Sequence, residues 1–159
     1  MAAQDTATTD ERDLIWNPPH GHDGGQLFKA VQNGNVNVSA LNVYTHDGPG
    51  DHEVIKAIEV EWTNGQTHKY GHASGPSTST TFHKSERITK FIIYGGDWVD
   101  AIYYESTRLP GGWKAGGSGG IPAEQDIGNG VFVGLWGNAG FDIDSLGGVF
   151  ESSKDKADK

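Results

Sequence analysis

Three segments of the chain repeat one pattern at a fixed interval. Each follows a glycine or a turn and leads into a strand whose apolar and polar residues alternate. The apolar anchors of these strands, Ile58, Ile102 and Leu146, lie 44 residues apart in both steps. Because a unit of this length cannot bury its own apolar face, the repeat predicts three similar units that share one core.

Glycine-rich turns follow nearly the same interval. They lie at Gly25, Gly71 and Gly116, with steps of 46 and 45 residues. Two sets of positions in the same phase strengthen the threefold interpretation.

The alternation of apolar and polar residues predicts strands, and no stretch has a helical period. Turn signals such as Asn64-Gly65 separate the apolar runs. Alternation places Trp62 and Trp136 in the core, whereas Trp98 and Trp113 lie in turns. The predicted strands span 36–44, 58–62, 88–94, 99–105, 131–136 and 143–150. The sequence therefore predicts an all-β domain.

Length and composition indicate one glycine-rich domain. The 159 residues are enough for a single core. We place the domain at residues 16–151, between polar tails at 1–15 and 152–159 that cannot bury enough surface to order themselves. The 24 glycines predict many tight turns.

Charge and composition exclude several classes of partner. The formal net charge of −9 disfavours nucleic acid and anionic membranes. No apolar run approaches the roughly 18 residues of a membrane span, so membrane insertion is not expected. The start lacks a secretory signal, which predicts a cytoplasmic protein, with non-classical export left open. The absence of cysteine excludes disulfides and thiolate metal sites.

Acidic residues stand at a repeated place in this pattern. The position two before each apolar anchor holds Lys56, Asp100 and Asp144. The last of these belongs to the stretch GNAGFDIDSLGG, in which Asp142 and Asp144 are two residues apart. Carboxylates this close repel each other, so the cluster calls for a function.

Four stretches, taken in order, resemble the jacalin-related lectin family. They are the Gly-Gly turn before Leu27-Phe28 and the segments VIKAIEVEWTNGQTHKYG, SERITKFIIYGGDWVDAIYYES and GVFVGLWGNAGFDIDSLGGVF, which together cover roughly residues 21–151. The resemblance implies a β-prism I fold of three four-stranded Greek-key sheets with pseudo-threefold symmetry. It also implies a carbohydrate-binding protein rather than an enzyme.

The resemblance further implies a sugar site between a glycine-rich loop and a G-x-x-x-D loop. In this chain Gly25 and Gly140 would let the two backbones approach the sugar. Asp144 would accept hydroxyl hydrogen bonds, and the amides of Phe141, Asp142 and Gly25 would donate them. On this interpretation the Asp142 side chain is replaceable, and Phe141 covers an apolar face of the sugar ring.

The middle repeat carries the same motif. Gly96, Asp97, Trp98 and Asp100 fit G-x-x-x-D, with the glycine-rich stretch 111–120 as the opposing loop. We therefore expect a second site with Asp100 as the acceptor. In the first repeat Lys56 replaces the aspartate, and because an ammonium accepts no hydrogen bond, we expect that site to be lost or altered.

The expected ligand is a mannose- or glucose-type glycan. In the resembling family, galactose-binding members are cleaved so that a glycine amine lies in the site, whereas 24 residues precede Gly25 here. A few hydrogen bonds with little apolar burial predict millimolar affinity for a monosaccharide, about −4 kcal/mol. Avidity for mannose-containing glycans or glycoproteins would come from paired sites in the domain or across a homo-oligomer.

Other interpretations stay open beside this one. A glycosidase would need Asp142 and Asp144 to flank a bond, roughly 5–9.5 Å apart, and nothing nearby raises one pKa. The aspartates are hard calcium ligands but too few for a dedicated site, and His20 and His22 lack zinc-protease spacing, so no metal or other cofactor is expected. A turn role explains one aspartate after a glycine but not the repeat. The alternative function is a β-prism protein-interaction or assembly module that binds no sugar.

Overall fold

The part of the chain that the structure describes consists of strands joined by turns and loops. The computed structural model describes residues 12–48 and 52–153; positions 1–11 and 154–159, which make up most of the predicted tails, lie outside it. Within those ranges no helix is long and apolar enough to cross a membrane. The strands are β1 (Leu14–Trp16), β2 (His20–Gly21), β3 (Gln26–Ala30), β4 (Val38–Asp47), β5 (Glu53–Trp62), β6 (Thr67–Gly71), β7 (Ser77–Thr81), β8 (Ile88–Gly95), β9 (Val99–Ser106), β10 (Trp113–Gly116), β11 (Ile121–Glu124), β12 (Phe132–Ala139) and β13 (Ile143–Glu151).

The strands form three antiparallel sheets, which confirms the predicted all-β fold class. The second sheet has the order β6-β5-β4-β7 and the third has the order β10-β9-β8-β11. In each, three consecutive strands are joined as hairpins and the fourth returns beside the first, which is a Greek key.

The first sheet is built from both ends of the chain. β12 and β13 form its centre, β3 flanks β12, and both β1 and β2 pair with β13. Pro18 and Pro19 lie between β1 and β2, and since proline has no N–H to donate, the outer strand is interrupted there. The sheet is therefore four strands wide, with one outer strand in two pieces.

The first strand begins two residues before the domain boundary expected at residue 16. Leu14 pairs with Glu151, and the Ser152 amide donates to the Asp13 carbonyl at 2.8 Å. These residues pair with the opposite end of the described chain. A strand of only three residues after a polar stretch gives no sequence signal for such a pairing.

The core lies between the three sheets. The repeat anchors Ile58, Ile102 and Leu146 are at most 1% exposed and belong to one apolar cluster. Trp62 is also buried in that cluster, as the alternation predicts. Three equivalent strands thus contribute one equivalent residue each to a shared core.

Trp136 does not lie in the core where alternation places it. Its ring is half-buried and meets Trp16 edge to face at 5.5 Å. The cause is a register shift just after Phe132 in the pairing of β12 with β13. A bulge reverses the parity of the residues that follow, so Leu135, 1% exposed, faces the core instead.

The three central hairpins share a bulge near the tip, but the first hairpin is longer. In the hairpins β8–β9 and β12–β13, residues 96–98 and 140–142 join the last paired positions. In the first, β4 and β5 continue to pair beyond the bulge as far as Asp47 and Glu53. The additional residues lie before Lys56 and therefore before the first apolar anchor. The 44-residue spacing between the anchors is not changed by them.

Gly21, Gly71 and Gly116 are structurally equivalent. All three have positive φ, and a Cβ there would lie 2.2–2.3 Å from a carbonyl oxygen of the neighbouring strand. Those carbonyls belong to Asp144, Lys56 and Asp100. The sequence pattern had aligned Gly25 with this set, which is wrong: the longer hairpin makes the steps 50 and 45, and Gly25 corresponds to Gly75 and Gly120.

A buried acidic residue holds the turn between β7 and β8. The Glu86 side chain is 2% exposed and accepts hydrogen bonds from the His83 amide, the Ser106 hydroxyl and Arg108 Nε. Burial by itself raises the pKa of Glu86, but the bonds from Ser106, His83 and Arg108, with the charge of Arg108, outweigh it. The pKa of Glu86 therefore lies below its ordinary value.

We expect Glu86→Gln to destabilise the fold by about 1–3 kcal/mol at neutral pH, because it removes the charge that these donors stabilise. Since the folded-state pKa is lowered, this stability is present above the unfolded-state pKa and is lost as pH falls through the folded-state value. Urea unfolding at neutral and acidic pH should show the difference from wild type shrinking in acid. Exposed Glu124 supplies the control Glu124→Gln, and a difference independent of pH would contradict the assignment.

Candidate functional site

Both G-x-x-x-D loops adopt the same turn. The Gly140 amide donates to the Asp142 carbonyl at 2.9 Å, and the Gly96 amide donates to the Trp98 carbonyl at 2.9 Å. The first turn joins β12 to β13, and the second joins β8 to β9. Each places its aspartate, the second residue of the following strand, half-buried behind an exposed loop.

The glycine-rich loop before β3 lies directly against Asp144. Gly25 has φ +76°, and a Cβ there would lie 2.4 Å from Asp144 Oδ2 and 2.7 Å from the Ala139 carbonyl carbon. A Cβ on Gly140 would lie 3.6 Å from Gly25 Cα. The structure therefore brings together the residues predicted for the C-terminal site, which are Gly25, Gly140, Phe141, Asp142 and Asp144.

Several polar groups of this site bind no other described residue. The amides of Gly25, Phe141 and Asp142 donate no hydrogen bond to another described residue, and the Asp144 carboxylate accepts none. The Asp144 backbone carbonyl, in contrast, accepts from the His22 amide at 2.8 Å. The backbone is thus fixed while donors and an acceptor remain available to a ligand.

The environment of Asp144 favours its protonated form more than water does, so the expectation that nothing nearby raises a pKa in this aspartate pair is wrong. Burial raises the pKa of Asp144 most, and the charge of Asp142 raises it further, while His22 acts in the opposite direction. The His22 ring is held in the loop by the Gly24 amide, which donates to Nδ1 at 2.8 Å.

A cleft of about 220 Å³ marks the middle repeat. The predicted opposing loop reaches it, since a Cβ on Gly120 would lie 2.8 Å from Asp100 Oδ1. Trp98 is half-buried at the cleft and Asp97 is exposed. The lining residues are His52, Val54, Gly96, Asp97, Trp98, Asp100, Gly119 and Gly120.

Two histidines that the sequence did not assign face the middle site. Burial raises the pKa of Asp100, while His52 and His20 act to lower it. His52 comes from the long first hairpin, and His20 comes from β2, where its Nε2 lies 2.8 Å from the Ile121 carbonyl oxygen. The sequence contains His20 and His22 as an H-x-H pair, but only the fold shows that His20 lies near Asp100 and His22 near Asp144.

Lys56, at the position of the missing aspartate, points toward the C-terminal loop. Its Nζ lies 3.0 Å from Asp142 Oδ1, and the two side chains are only 14% and 19% exposed. The Asp142 side chain, which the sequence pattern treats as replaceable, therefore has a specific partner in another repeat.

The acidic residues of the loops are not arranged as metal ligands. Across residues 12–48 and 52–153, no three His, Asp or Glu side chains are grouped so as to hold a metal ion. Asp97 and Asp100 belong to one loop, Asp142 and Asp144 to another, and Asp142 is paired with Lys56.

Comparison with known proteins identifies the fold. No protein-family model matches the chain, and no curated protein matches it in sequence. Among solved structures, a lamprey immune protein is 22% identical with a TM-score of 0.75 over 88% of this chain. This chain covers 44% of the lamprey protein, which is less than half of its length.

Two plant lectins align over nearly their full length. Wild-type Malaysian banana lectin is 20% identical, with a TM-score of 0.69 over 89% of this chain and 99% of the lectin. A mannose-binding jacalin-related lectin from Ananas comosus is 17% identical, with a TM-score of 0.70 over 87% of this chain and 98% of the lectin. The resemblance to jacalin-related lectins is thereby confirmed at the level of the fold, a β-prism.

Proposed function

We propose that this protein is a metal-independent lectin that binds mannose- or glucose-type glycans at two sites, around Asp144 and Asp100. The observation that carries the proposal is the repetition of one arrangement. In both places a three-residue turn, a half-buried carboxylate and an opposing positive-φ glycine converge. Turn geometry alone would not require the glycine to lie against the carboxylate.

The free groups of the C-terminal site suit neighbouring hydroxyls of a hexose. Each sugar hydroxyl can donate one hydrogen bond and accept others, and Asp144 can accept from two of them. The amides of Gly25, Phe141 and Asp142 supply the complementary donors. Bonds to an ionised carboxylate are worth about 1.5–3 kcal/mol each, against about 1 kcal/mol for a neutral pair.

Aromatic residues flank both carboxylates. Phe141 is 69% exposed beside Asp144, and Trp98 lines the cleft at Asp100. The C–H groups on one face of a sugar ring pack well on such side chains. We assign Phe141 and Trp98 as apolar walls, with Gly96 and Asp97 completing the middle turn as Gly140 and Phe141 complete the other.

Two considerations support the sugar class and the absence of catalysis. The Ananas comosus protein with this fold is described as mannose-binding, which supports a mannose-type ligand. A two-carboxylate hydrolase would need a free partner for Asp144, but Asp142 is paired with Lys56.

Titration calorimetry of the full chain with methyl α-mannoside tests the proposal. We expect two sites per chain with affinity near the millimolar level, tighter binding of a mannose-rich glycoprotein, and no change with EDTA. Methyl α-galactoside is the matched control and should bind more weakly. No heat with any glycoside would favour the protein-interaction alternative, and loss of binding in EDTA would indicate a calcium site.

A further inference from the structure

The first repeat contacts the C-terminal loop through two residues, Lys56 and His72, which occupy the positions that Asp144 and His22 occupy in the C-terminal site. Lys56 occupies the aspartate position and reaches Asp142 at 3.0 Å. His72 occupies the position of His22 in the equivalent loop, and its ring stacks on Phe141 at 4.3 Å and 16°. Two of the three residues in the turn 140–142 are therefore held by the neighbouring repeat.

A backbone hydrogen bond joins the two residues that make these contacts. The His72 amide donates to the Lys56 carbonyl at 3.1 Å, so the two side chains extend from backbone segments that are hydrogen-bonded to each other. A Cβ on Gly71 would lie 3.1 Å from Ile143 Cδ1, which places the second sheet against the strand that carries Asp144. The first repeat thus lies in direct contact with the strand that follows the C-terminal turn.

The ion pair also changes the charge beside the acceptor. Asp142 Oδ1 is buried and accepts no hydrogen bond from a described residue, but it lies 3.0 Å from the Lys56 ammonium as an ion pair. Without that ammonium, only His22 would oppose the repulsion between the neighbouring carboxylates of Asp142 and Asp144. Lys56 offsets the charge of Asp142 and leaves the carboxylate of Asp144 free for hydroxyl donors.

We propose that Lys56 and His72 are positioning residues for the carbohydrate site at Asp144: the first repeat no longer forms a sugar site of its own and instead fixes the turn that presents Phe141 and Asp142. The inference rests on the proposed carbohydrate function. The three repeats would therefore differ in role: two repeats carry binding sites, and the first repeat supports the site at Asp144.

The test isolates each site in the full-length chain. Asp100→Ala leaves the C-terminal site, and Asp144→Ala leaves the middle site. In the Asp100→Ala protein we expect Lys56→Met and His72→Ala each to weaken methyl α-mannoside binding about 3- to 10-fold, the size of indirect coupling effects. In the Asp144→Ala protein the same changes should leave affinity unaltered.

Two further variants separate positioning from general stability. Lys56→Arg keeps the cation and should restore most of the affinity lost in Lys56→Met. Lys69→Met removes the same charge from the same sheet, at a residue whose ammonium lies 5.1 Å from the Tyr44 ring centre, and should leave the Asp144 site unaltered. Thermal unfolding of every variant records whether the fold itself has changed.

The outcomes distinguish the two proposals. Absence of binding in the parent proteins overturns the carbohydrate function and this inference with it. Binding in the parents that Lys56→Met and His72→Ala leave unaltered overturns this inference alone. Equal weakening of both sites, or failure of Lys56→Arg to restore affinity, would assign Lys56 to overall stability and also overturn it.

Discussion

Replacing Asp144 with alanine is expected to abolish mannoside binding at the C-terminal site while the middle site keeps its affinity. The change removes an acceptor of two charge-assisted hydrogen bonds, each worth about 1.5–3 kcal/mol. A site near the millimolar level should therefore weaken by at least about 100-fold and fall outside the measurable range. Titration calorimetry should record one site per chain in place of two.

The reciprocal and control variants make this result specific. Asp100→Ala should also leave one site, and the double variant should leave none. Glu61 is an exposed carboxylate on β5 away from the binding loops, so Glu61→Ala should retain both sites. Two sites of unaltered affinity in Asp144→Ala would remove the central residue of the lectin proposal.

Acidification should weaken the same site at a higher pH than an ordinary aspartate would. Burial, then the charge of Asp142, raises the pKa of Asp144 above that of an ordinary aspartate, against the opposing effect of His22. Binding uses the ionised form, so affinity is retained above the raised pKa and lost as pH falls through it. Lys56 also faces this loop through its ion pair with Asp142. The pH profile of affinity is best measured in the Asp100→Ala protein, because only the Asp144 site then contributes to binding.

Gly71→Ala is expected to cost about 3–5 kcal/mol of folding free energy, a large part of the 5–15 kcal/mol typical of a domain. The residue has φ +88°, which an alanine adopts only with strain. In addition, the new Cβ would lie 2.3 Å from the Lys56 carbonyl oxygen and 3.0 Å from Ala57 Cα. Urea unfolding followed by tryptophan fluorescence measures the loss.

Gly65 provides a matched control for the backbone strain. It has the same φ of +88°, but a Cβ there would meet no atom within 4 Å. Gly65→Ala should therefore cost only about 1–2 kcal/mol, the strain of a left-handed alanine. If the two variants lose equal stability, the close approach of the strands at Gly71 carries no energetic weight.

The sequence predicted the parts of this molecule that depend on local period and on repetition. The alternation around Ile58 and its counterparts at 102 and 146 identified the strands and the shared core, because burial of one face fixes the side-chain parity of a strand. The spacing also identified Asp100 as the equivalent of Asp144. Both turns lie in undisturbed parts of the repeat, where a constant interval is a reliable guide.

The prediction was wrong or incomplete where an irregularity or a contact between repeats decides the structure. The bulge after Phe132 turned Trp136 out of the core, and the longer first hairpin displaced the alignment of Gly25. The contacts of Lys56 with Asp142 and of His72 with Phe141 join residues 86 and 69 positions apart. No local pattern encodes such pairs, because they arise only when the sheets close around the core.

Because residues from both ends of the described chain close the first sheet, the two carboxylate sites join residues at very different separations along the sequence. Asp100 and Gly120 are 20 positions apart, so bringing them together closes a short loop, although the cleft is also lined by His52 and Val54 of the first hairpin. Gly25 and Asp144 are 119 positions apart, and closing so long a loop carries a larger entropic cost. Every residue that lines the middle cleft precedes β11, whereas the Asp144 site also needs β13. A ligand held between Gly25 and Asp144 therefore ties the beginning of the fold to its end and opposes the release of either.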